Sequence, residues 1–268
     1  FTSIRKVDFE GNDDLSADGW RRLLQGLSPS VEDISFGHHL DDDKAAVLQE
    51  QLPRLKSIRN FDFGGNKGLS ADGWRRILQG LSPSVEDISF NRCGLDDGKV
   101  LAIQEQLPRF TSIRKVYSSG GFSGNDDLSA DGWRRLLQGL GPSLLQGLSP
   151  SVEDISFGHC DLDDDKAAVL QEQLPRLKSI RNFDFGGNKG LSADGWRRIL
   201  QGLSPSVEDI SFNRCGLDDG KVLAIQEQLP RFTSIRKVDF EGNDDLSADG
   251  WRHLLQGLSP SVEDISFG

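Results

Sequence analysis

The chain has 268 residues, a formal net charge of −11 and a pI near 4.9. An acidic chain of this kind argues against nucleic-acid and anionic-membrane partners, because both are bound through Lys and Arg side chains. The charge suits either a basic partner protein or solubility alone. No apolar run approaches the ~18 residues of a membrane span. Three widely separated cysteines indicate a reducing compartment, and we expect a cytoplasmic protein.

Ten segments with the pattern apolar-x-x-apolar-x-apolar recur along the chain, and each predicts a half-buried strand. Successive segments begin 27 or 28 residues apart, except for one step of 39. A period of this length predicts a solenoid of stacked repeats. The first apolar residues are Ile4, Val31, Ile58, Val85, Ile113, Val152, Ile180, Val207, Ile235 and Val262.

A helix is predicted after each strand. In the first repeat Trp20 and Leu24 belong to an apolar stripe at helical spacing, and Ser16 is a suitable N-cap. In the second repeat type Asp96 takes the cap position, and Pro108 is expected to end the helix. Each repeat therefore predicts a strand, a turn, a helix and a return.

The residues after each strand carry a family resemblance. Phe90-Asn91-Arg92-Cys93-Gly94-Leu95 follows its strand without a gap, and 157–162 and 212–217 repeat the pattern. The pattern resembles the leucine-rich-repeat family, in its ribonuclease-inhibitor-like subclass. The segment 12–15 is one residue longer than the family pattern, and 36–40 is one residue shorter and lacks the cysteine.

The resemblance implies an α/β horseshoe with parallel strands on the concave face, helices on the convex face and about nine to ten repeats. It covers 1–268 as a single solenoid without evident capping repeats. The bare end strands then predict end-to-end association between copies. The family's function stays open, because it includes inhibitors, GTPase activators, immune sensors and scaffolds.

A longer period overlies the repeats, because FTSIRKV recurs at 1, 110 and 232. Such close identity indicates recent duplication or an engineered, consensus-like array, and the absence of methionine indicates a processed chain or a fragment. Two insertions, 117–124 and 136–151, account for the long step. The first is rich in Gly and Ser, which predicts a flexible loop, with a binding loop as the alternative.

Side chains that suggest chemistry are better explained as structure. Their spacing gives no metal motif, so we expect no cofactor, no metal and no catalysis. The asparagines predict a ladder of side chains that bond the turn backbones. The cysteines predict buried thiols, and the tryptophans predict core. These residues are Asn12, Asn66, Asn125, Asn188, Asn243, Cys93, Cys160, Cys215, Trp20, Trp74, Trp133, Trp196 and Trp251.

Polar residues between the apolar strand positions predict the solvent-facing concave surface. Their aspartates form two rows, and Lys6, Lys115 and Lys237 partly offset them. This acidic surface is our candidate for binding a basic protein. The candidate residues are Asp8, Asp33, Asp62, Asp87, Asp154, Asp184, Asp209, Asp239 and Asp264.

The sequence thus favours a protein-binding scaffold that is not an enzyme. An engineered repeat protein without a natural ligand is the first alternative. A GTPase activator is the second, because paired arginines such as Arg21 and Arg22 recur on the helices. Their repetition on a helix face favours an ordinary solvated surface instead.

Overall fold

The computed structural model describes residues 3–12, 14–38, 40–116, 122–140 and 152–267. Strands and helices alternate throughout these ranges. The strands are β1 Lys6–Asp8, β2 Asp33–Ser35, β3 Asn60–Asp62, β4 Asp87–Ser89, β5 Lys115–Val116, β6 Asp154–Ser156, β7 Asn182–Asp184, β8 Asp209–Ser211, β9 Lys237–Asp239 and β10 Asp264–Ser266. The helices are α1 Ala17–Gln25, α2 Asp42–Gln51, α3 Ala71–Gly80, α4 Asp97–Gln106, α5 Ala130–Leu140, α6 Asp164–Gln173, α7 Ala193–Gly202, α8 Asp219–Gln228 and α9 Ala248–Gly257.

The strands form one parallel sheet in chain order, from β1 to β10. Each strand pairs with the next in the same register, so Lys6 lies opposite Asp33 and Asp33 lies opposite Asn60. Adjacent strands lie about 4.8 Å apart, whereas packed helices need about 8–10 Å. The stack therefore curves with the strands on the inner, concave side, as the sequence predicted.

A continuous apolar spine fills the space between the sheet and the helices. The phenylalanines that follow the strands stack along it, with Phe90 and Phe122 at 5.9 Å between ring centroids. The helix tryptophans meet them edge-on, as Trp133 meets Phe122 at 5.5 Å. Four of the five tryptophans are at most 2 % exposed, and Trp251 is partly buried. The predicted core position of the tryptophans is thereby confirmed.

The helix N-termini join neighbouring repeats. Ser192 caps α7 through a hydrogen bond from the Gly195 backbone N–H to its hydroxyl oxygen at 3.2 Å. Asp164 in the preceding helix accepts both the Ser192 backbone N–H at 3.0 Å and its hydroxyl at 2.6 Å. Equivalent Asp–Ser bonds join α4 to α5 and α8 to α9. These bonds link each cap to the repeat before it, which stabilises the stack.

The asparagine ladder is confirmed at the buried positions. Asn188 accepts hydrogen bonds from the backbone N–H groups of Cys160 and Leu162 and donates to the carbonyls of Phe157 and Phe185. Asn66, Asn125 and Asn243 make the same kinds of bond and are also buried. Asn12 is exposed at the first repeat and donates only to local carbonyls.

The predicted thiols are also confirmed as free and buried. Cys93 donates to the Phe63 carbonyl at 3.2 Å, and Cys215 donates to that of Phe185 at the same distance. Burial raises the pKa of both thiols to about 12, so they stay protonated near neutral pH. The pKa of the Cys160 thiol is also raised well above its usual value by burial.

The helix end at Pro108 and the two insertions were further local predictions. The α4 helix ends at Gln106, and Pro108 belongs to a 3-10 turn at Leu107–Arg109 rather than ending the helix directly. The insertions fall largely outside the described residues, which omit 117–121 and 141–151. The described part of the first insertion contains Phe122, which is fully buried and takes the place in the spine that Phe9 has in the first repeat.

Candidate protein-binding surface

The concave surface is built from three rows of polar residues that run across the strands. The first row lies just before the strands and alternates Arg and Glu in every repeat, from Arg5 to Glu263. Arg5 pairs with Glu32 at 2.7 Å, and two further neighbouring pairs, Arg59–Glu86 and Arg181–Glu208, also form. This row is therefore balanced in charge and gives the surface little acidic character.

The second row is formed by the first residue of each strand. It contains three lysines, two asparagines and the five aspartates of the even-numbered strands. Asp154 is held on both sides, by Lys115 Nζ at 2.8 Å and by the side-chain amide of Asn182. That bond to Asp154 also raises the pKa of Lys115. Most carboxylates in this row are thus partnered by their neighbours.

Asp209 differs from the other aspartates of the second row. Its side chain has no ion pair within 4 Å and no hydrogen bond among the described residues, because Lys237 lies closer to Asp264, at 3.7 Å. Partial burial raises the pKa of Asp209, and the nearby carboxylates Glu208 and Asp154 raise it further, against the attraction of Lys237. Asp209 is thus a partly desolvated carboxylate that keeps capacity for an external cation.

The third row is formed by the last residue of each strand except β5, which ends at Val116, and this residue is Asp in the odd-numbered strands and Ser in the even-numbered ones. Asp184 accepts the Gly186 backbone N–H at 2.8 Å and the Ser156 hydroxyl, also at 2.8 Å. Asp8, Asp62 and Asp239 each accept a backbone N–H two residues later in the same way. These four aspartates therefore shape the turns after the strands in addition to carrying charge.

One part of the sequence prediction is wrong. Asp87 and Asp154 were expected to face solvent, but only 8 % and 6 % of their surfaces are exposed. Ser89 and Ser156 are buried as well. Curvature brings the side chains of neighbouring strands together on the concave side, so central positions lose contact with water. Asp8 and Asp264, in the end strands, remain exposed, and the other candidate aspartates are intermediate.

A shallow depression of about 550 Å³ lies over strands β5–β9. Phe183 and Ile210 contribute to its floor, between the second and third rows. Asp209 and Asp239 line one part, and His159 lines the edge where the strands end. We call this surface the concave floor. It brings together four of the predicted residues, Asp154, Asp184, Asp209 and Asp239, and a smaller depression near β1–β3 contains Asp8, Asp33 and Asp62.

The turns after the strands contain a feature that sequence reasoning missed. His38, Arg92, His159 and Arg214 adopt left-handed backbone conformations, with φ between 51° and 73°. In the intervening repeats this position is a glycine, which adopts such a φ at no steric cost. The alternation of Gly with His or Arg is visible in the sequence, but only the structure shows that all share one conformation. We call this row of turns the C-terminal rim.

The residues that the structure describes contain neither a metal-binding cluster nor a membrane-spanning helix. No group of three or more His, Cys, Asp or Glu side chains is arranged to hold a metal ion there. None of the helices in those ranges is long and apolar enough to cross a membrane.

Comparison with known proteins gives distant relatives. No model of a protein family matches the chain. The chain is 23 % identical over 263 residues to protein NLRC5 of Ictalurus punctatus, and 25 % identical over 202 residues to NLRC5 of Mus musculus. These alignments cover 88 % and 66 % of this chain, but 14 % and 10 % of those proteins. PRAME family member 19 of Homo sapiens is 26 % identical over 124 residues, which are 46 % of this chain and 26 % of that protein. The chain thus spans about a quarter or less of the length of these curated relatives.

Solved structures share the fold. The leucine-rich-repeat protein LegL7 of Legionella pneumophila superposes with a TM-score of 0.68 at 14 % identity, covering 98 % of this chain and 83 % of that one. Rad7 from yeast, solved in complex with Elc1, gives 0.50 at 13 % identity, covering 98 % and 69 %. The chain has the leucine-rich-repeat fold.

Proposed function

We propose that this leucine-rich-repeat solenoid is a non-catalytic scaffold that binds a basic protein on its concave floor. The observation that carries the proposal is the open depression of about 550 Å³ over β5–β9, whose polar lining is not fully used by the fold. Asp209 lies in this depression as a partly buried carboxylate without an ion pair within 4 Å among the described residues. A Lys or Arg side chain of a partner would supply the missing cation.

The charge of the concave floor supports a basic partner. Its lining contains four aspartates, Asp154, Asp184, Asp209 and Asp239, against two lysines, Lys115 and Lys237. Complementary charge of this kind mainly increases association rate and specificity, and salt weakens it. The nine candidate aspartates differ in what they offer, since Asp154 is already paired and the third-row carboxylates also hold turns.

The described residues also support a role without catalysis. The thiols, which are the strongest potential nucleophiles, are buried with raised pKa values. The paired arginines that suggested a GTPase activator are engaged on the helices, where Arg21 bonds Glu50 at 3.2 Å and Arg22 bonds Asp18 at 3.1 Å. A reducing compartment such as the cytoplasm suits free thiols.

The test compares two variants that lose the same charge. The first variant, Asp209→Asn with Asp239→Asn, alters the concave floor. The second row tolerates an amide side chain at this position, as Asn182 shows on the neighbouring strand. An Asn at position 239 can still accept the hydrogen bond from the Glu241 backbone N–H. The control variant, Asp43→Asn with Asp165→Asn, alters exposed positions in α2 and α6. The equivalent positions in α4 and α8 are glycine, so the helix does not need a carboxylate there. Both variants and the parent chain are used to capture partners from cells, and each captured protein is then purified and titrated directly at two salt concentrations.

We expect the floor variant to bind the purified partner roughly fivefold more weakly, since each surface charge pair contributes about 0.2–1 kcal/mol. The helix variant should bind like the parent, and higher salt should weaken all three. Equal weakening in both variants, or no effect of the floor variant, would contradict the proposal. Failure to capture any partner that binds after purification would instead favour a repeat protein without a natural ligand.

A further inference from the structure

Basic side chains follow one another along the C-terminal rim, and each lies against a glycine of the next repeat. A Cβ atom added to Gly94 would lie 3.5 Å from Lys67 Cγ, and one added to Gly124 would lie 2.8 Å from Arg92 Cγ. One added to Gly65 would lie 2.1 Å from the His38 ring. Gly65 and Gly124 therefore leave room for His38 and Arg92 to lie on the neighbouring turn, whereas a Cβ atom at Gly94 would only reach ordinary van der Waals contact with Lys67.

The same arrangement recurs four repeats later. Added Cβ atoms at Gly216 and Gly242 would lie 3.5 Å and 2.6 Å from the Cγ atoms of Lys189 and Arg214. The rim therefore presents two equivalent basic pairs, which we call the first pair, Lys67 and Arg92, and the second pair, Lys189 and Arg214. Four strands separate them, which places them roughly 20 Å apart at 4.8 Å per strand.

These four cations are exposed, and their charged groups make no hydrogen bond or ion pair among the described residues. Most other arginines of the described chain pair with a carboxylate or cap a helix, although the protein has 42 acidic residues against 31 basic ones. Arg92 and Arg214 also keep a left-handed backbone that costs a non-glycine residue about 1 kcal/mol. Exposed cations that have no carboxylate partner among the described residues are suited to an external anion.

The surroundings of the basic pairs limit the length of that anion. Asp126 and Asp127 lie in the rim turn between the two pairs, and Glu241, Asp244 and Asp245 lie beyond the second. A continuous polyanion such as a nucleic acid would have to cross these carboxylates. A short acidic stretch of a protein can instead contact one basic pair and stop before them.

We propose that the C-terminal rim is a bivalent docking surface for acidic protein segments, with one segment bound by each basic pair. The guanidinium of Arg92 or Arg214 donates two hydrogen bonds to one carboxylate in a bidentate arrangement, and the adjacent lysine binds a second carboxylate. This surface is separate from the concave floor, and it binds the opposite charge. A partner with two acidic segments gains from binding both pairs at once.

The test uses peptides of known charge on the intact chain. A labelled hexaglutamate peptide is titrated at low salt, with hexaglutamine as the neutral probe and a single-stranded hexanucleotide as the phosphate probe. We expect two hexaglutamates per chain. A tandem peptide, with two hexaglutamates joined by about twelve Gly and Ser residues, spans the distance between the pairs and should bind at least tenfold more tightly than the single peptide.

The variants remove one pair at a time. Lys67→Gln with Arg92→Asn eliminates the first pair, and Asn tolerates the left-handed backbone. Lys189→Gln with Arg214→Asn eliminates the second. The charge-matched control is Lys56→Thr with Lys178→Thr, at exposed positions that are Thr111 and Thr233 in the other repeats. Each pair variant should bind one peptide per chain and lose the gain of the tandem peptide, whereas the control should retain both.

Retention of two peptides by either pair variant would overturn the proposal, as would equal loss in the control. Tighter binding of the hexanucleotide, lost in the same variants, would also overturn it and make the rim a phosphate site. If a pair variant does not fold, Lys67→Gln alone leaves the left-handed residue intact and should still weaken its site severalfold. The floor variant should bind the peptide no more weakly than the parent. This result tests the C-terminal rim even if the concave floor binds no basic protein.

Discussion

The asparagine ladder gives the sharpest prediction about stability. Asn188 is fully buried and makes four hydrogen bonds to backbone groups of two repeats, at 3.2, 3.0, 2.8 and 2.7 Å. Asn188→Ala removes all four and leaves backbone groups that water reaches only if the turn opens. At about 1 kcal/mol for each bond, we expect the free energy of unfolding to fall by about 4 kcal/mol.

Asn12→Ala is the matched control for this substitution. Asn12 is exposed and donates only to the carbonyls of Phe9 and Glu10, at 2.9 and 3.3 Å. Water can replace both bonds, so the cost should stay below about 1 kcal/mol. Urea unfolding followed by circular dichroism and tryptophan fluorescence measures both variants. A loss of unfolding free energy in Asn188→Ala no larger than that in Asn12→Ala would refute this prediction, because the buried hydrogen bonds of Asn188 would then contribute nothing to stability.

Further predictions follow from local packing and titration. Gly195→Ala places a Cβ 2.2 Å from the Asp164 carboxylate and should lower the unfolding free energy by about 1–2 kcal/mol. Gly220→Ala, at a position that is Asp in α6, should instead raise the unfolding free energy by about 0.5–1 kcal/mol. Urea unfolding that gives the two variants equal stability would contradict this prediction. Arg231→Gln removes bonds to the Leu200 and Gln201 carbonyls and should cost about 1 kcal/mol by the same assay, and no loss would argue against a capping role. The buried thiols have folded pKa values above their unfolded value near 9, so stability should fall as pH rises above about 9, since only the unfolded thiols ionise there. A variant with all three cysteines replaced by alanine should lose that part of the pH dependence, and an unchanged pH profile would contradict the assignment.

Much of the fold could be predicted from the sequence because each repeat specifies itself locally. The apolar pattern of a strand, the Ser or Asp cap and the apolar helix stripe all lie within one period. The positions of Asn188 and Cys93 relative to their strands were sufficient to predict the asparagine ladder and the buried thiols. The tryptophans were placed in the core because they fall on the helix stripe, and the structure confirms this for Trp74 and its equivalents.

The properties of the surface were decided by contacts between repeats, which the sequence of one repeat does not contain. Asp154 was expected in water, but curvature buries it between Lys115 and Asn182. Asp209 has the same position in its own strand but has no ion pair within 4 Å among the described residues, because Lys237 lies closer to Asp264. The basic pairs depend on the tertiary structure, because only there does Lys67 lie across Gly94 of the next turn. Local pattern thus determined the stack, and the register and curvature of neighbouring strands decided which of its charges remain available to a partner.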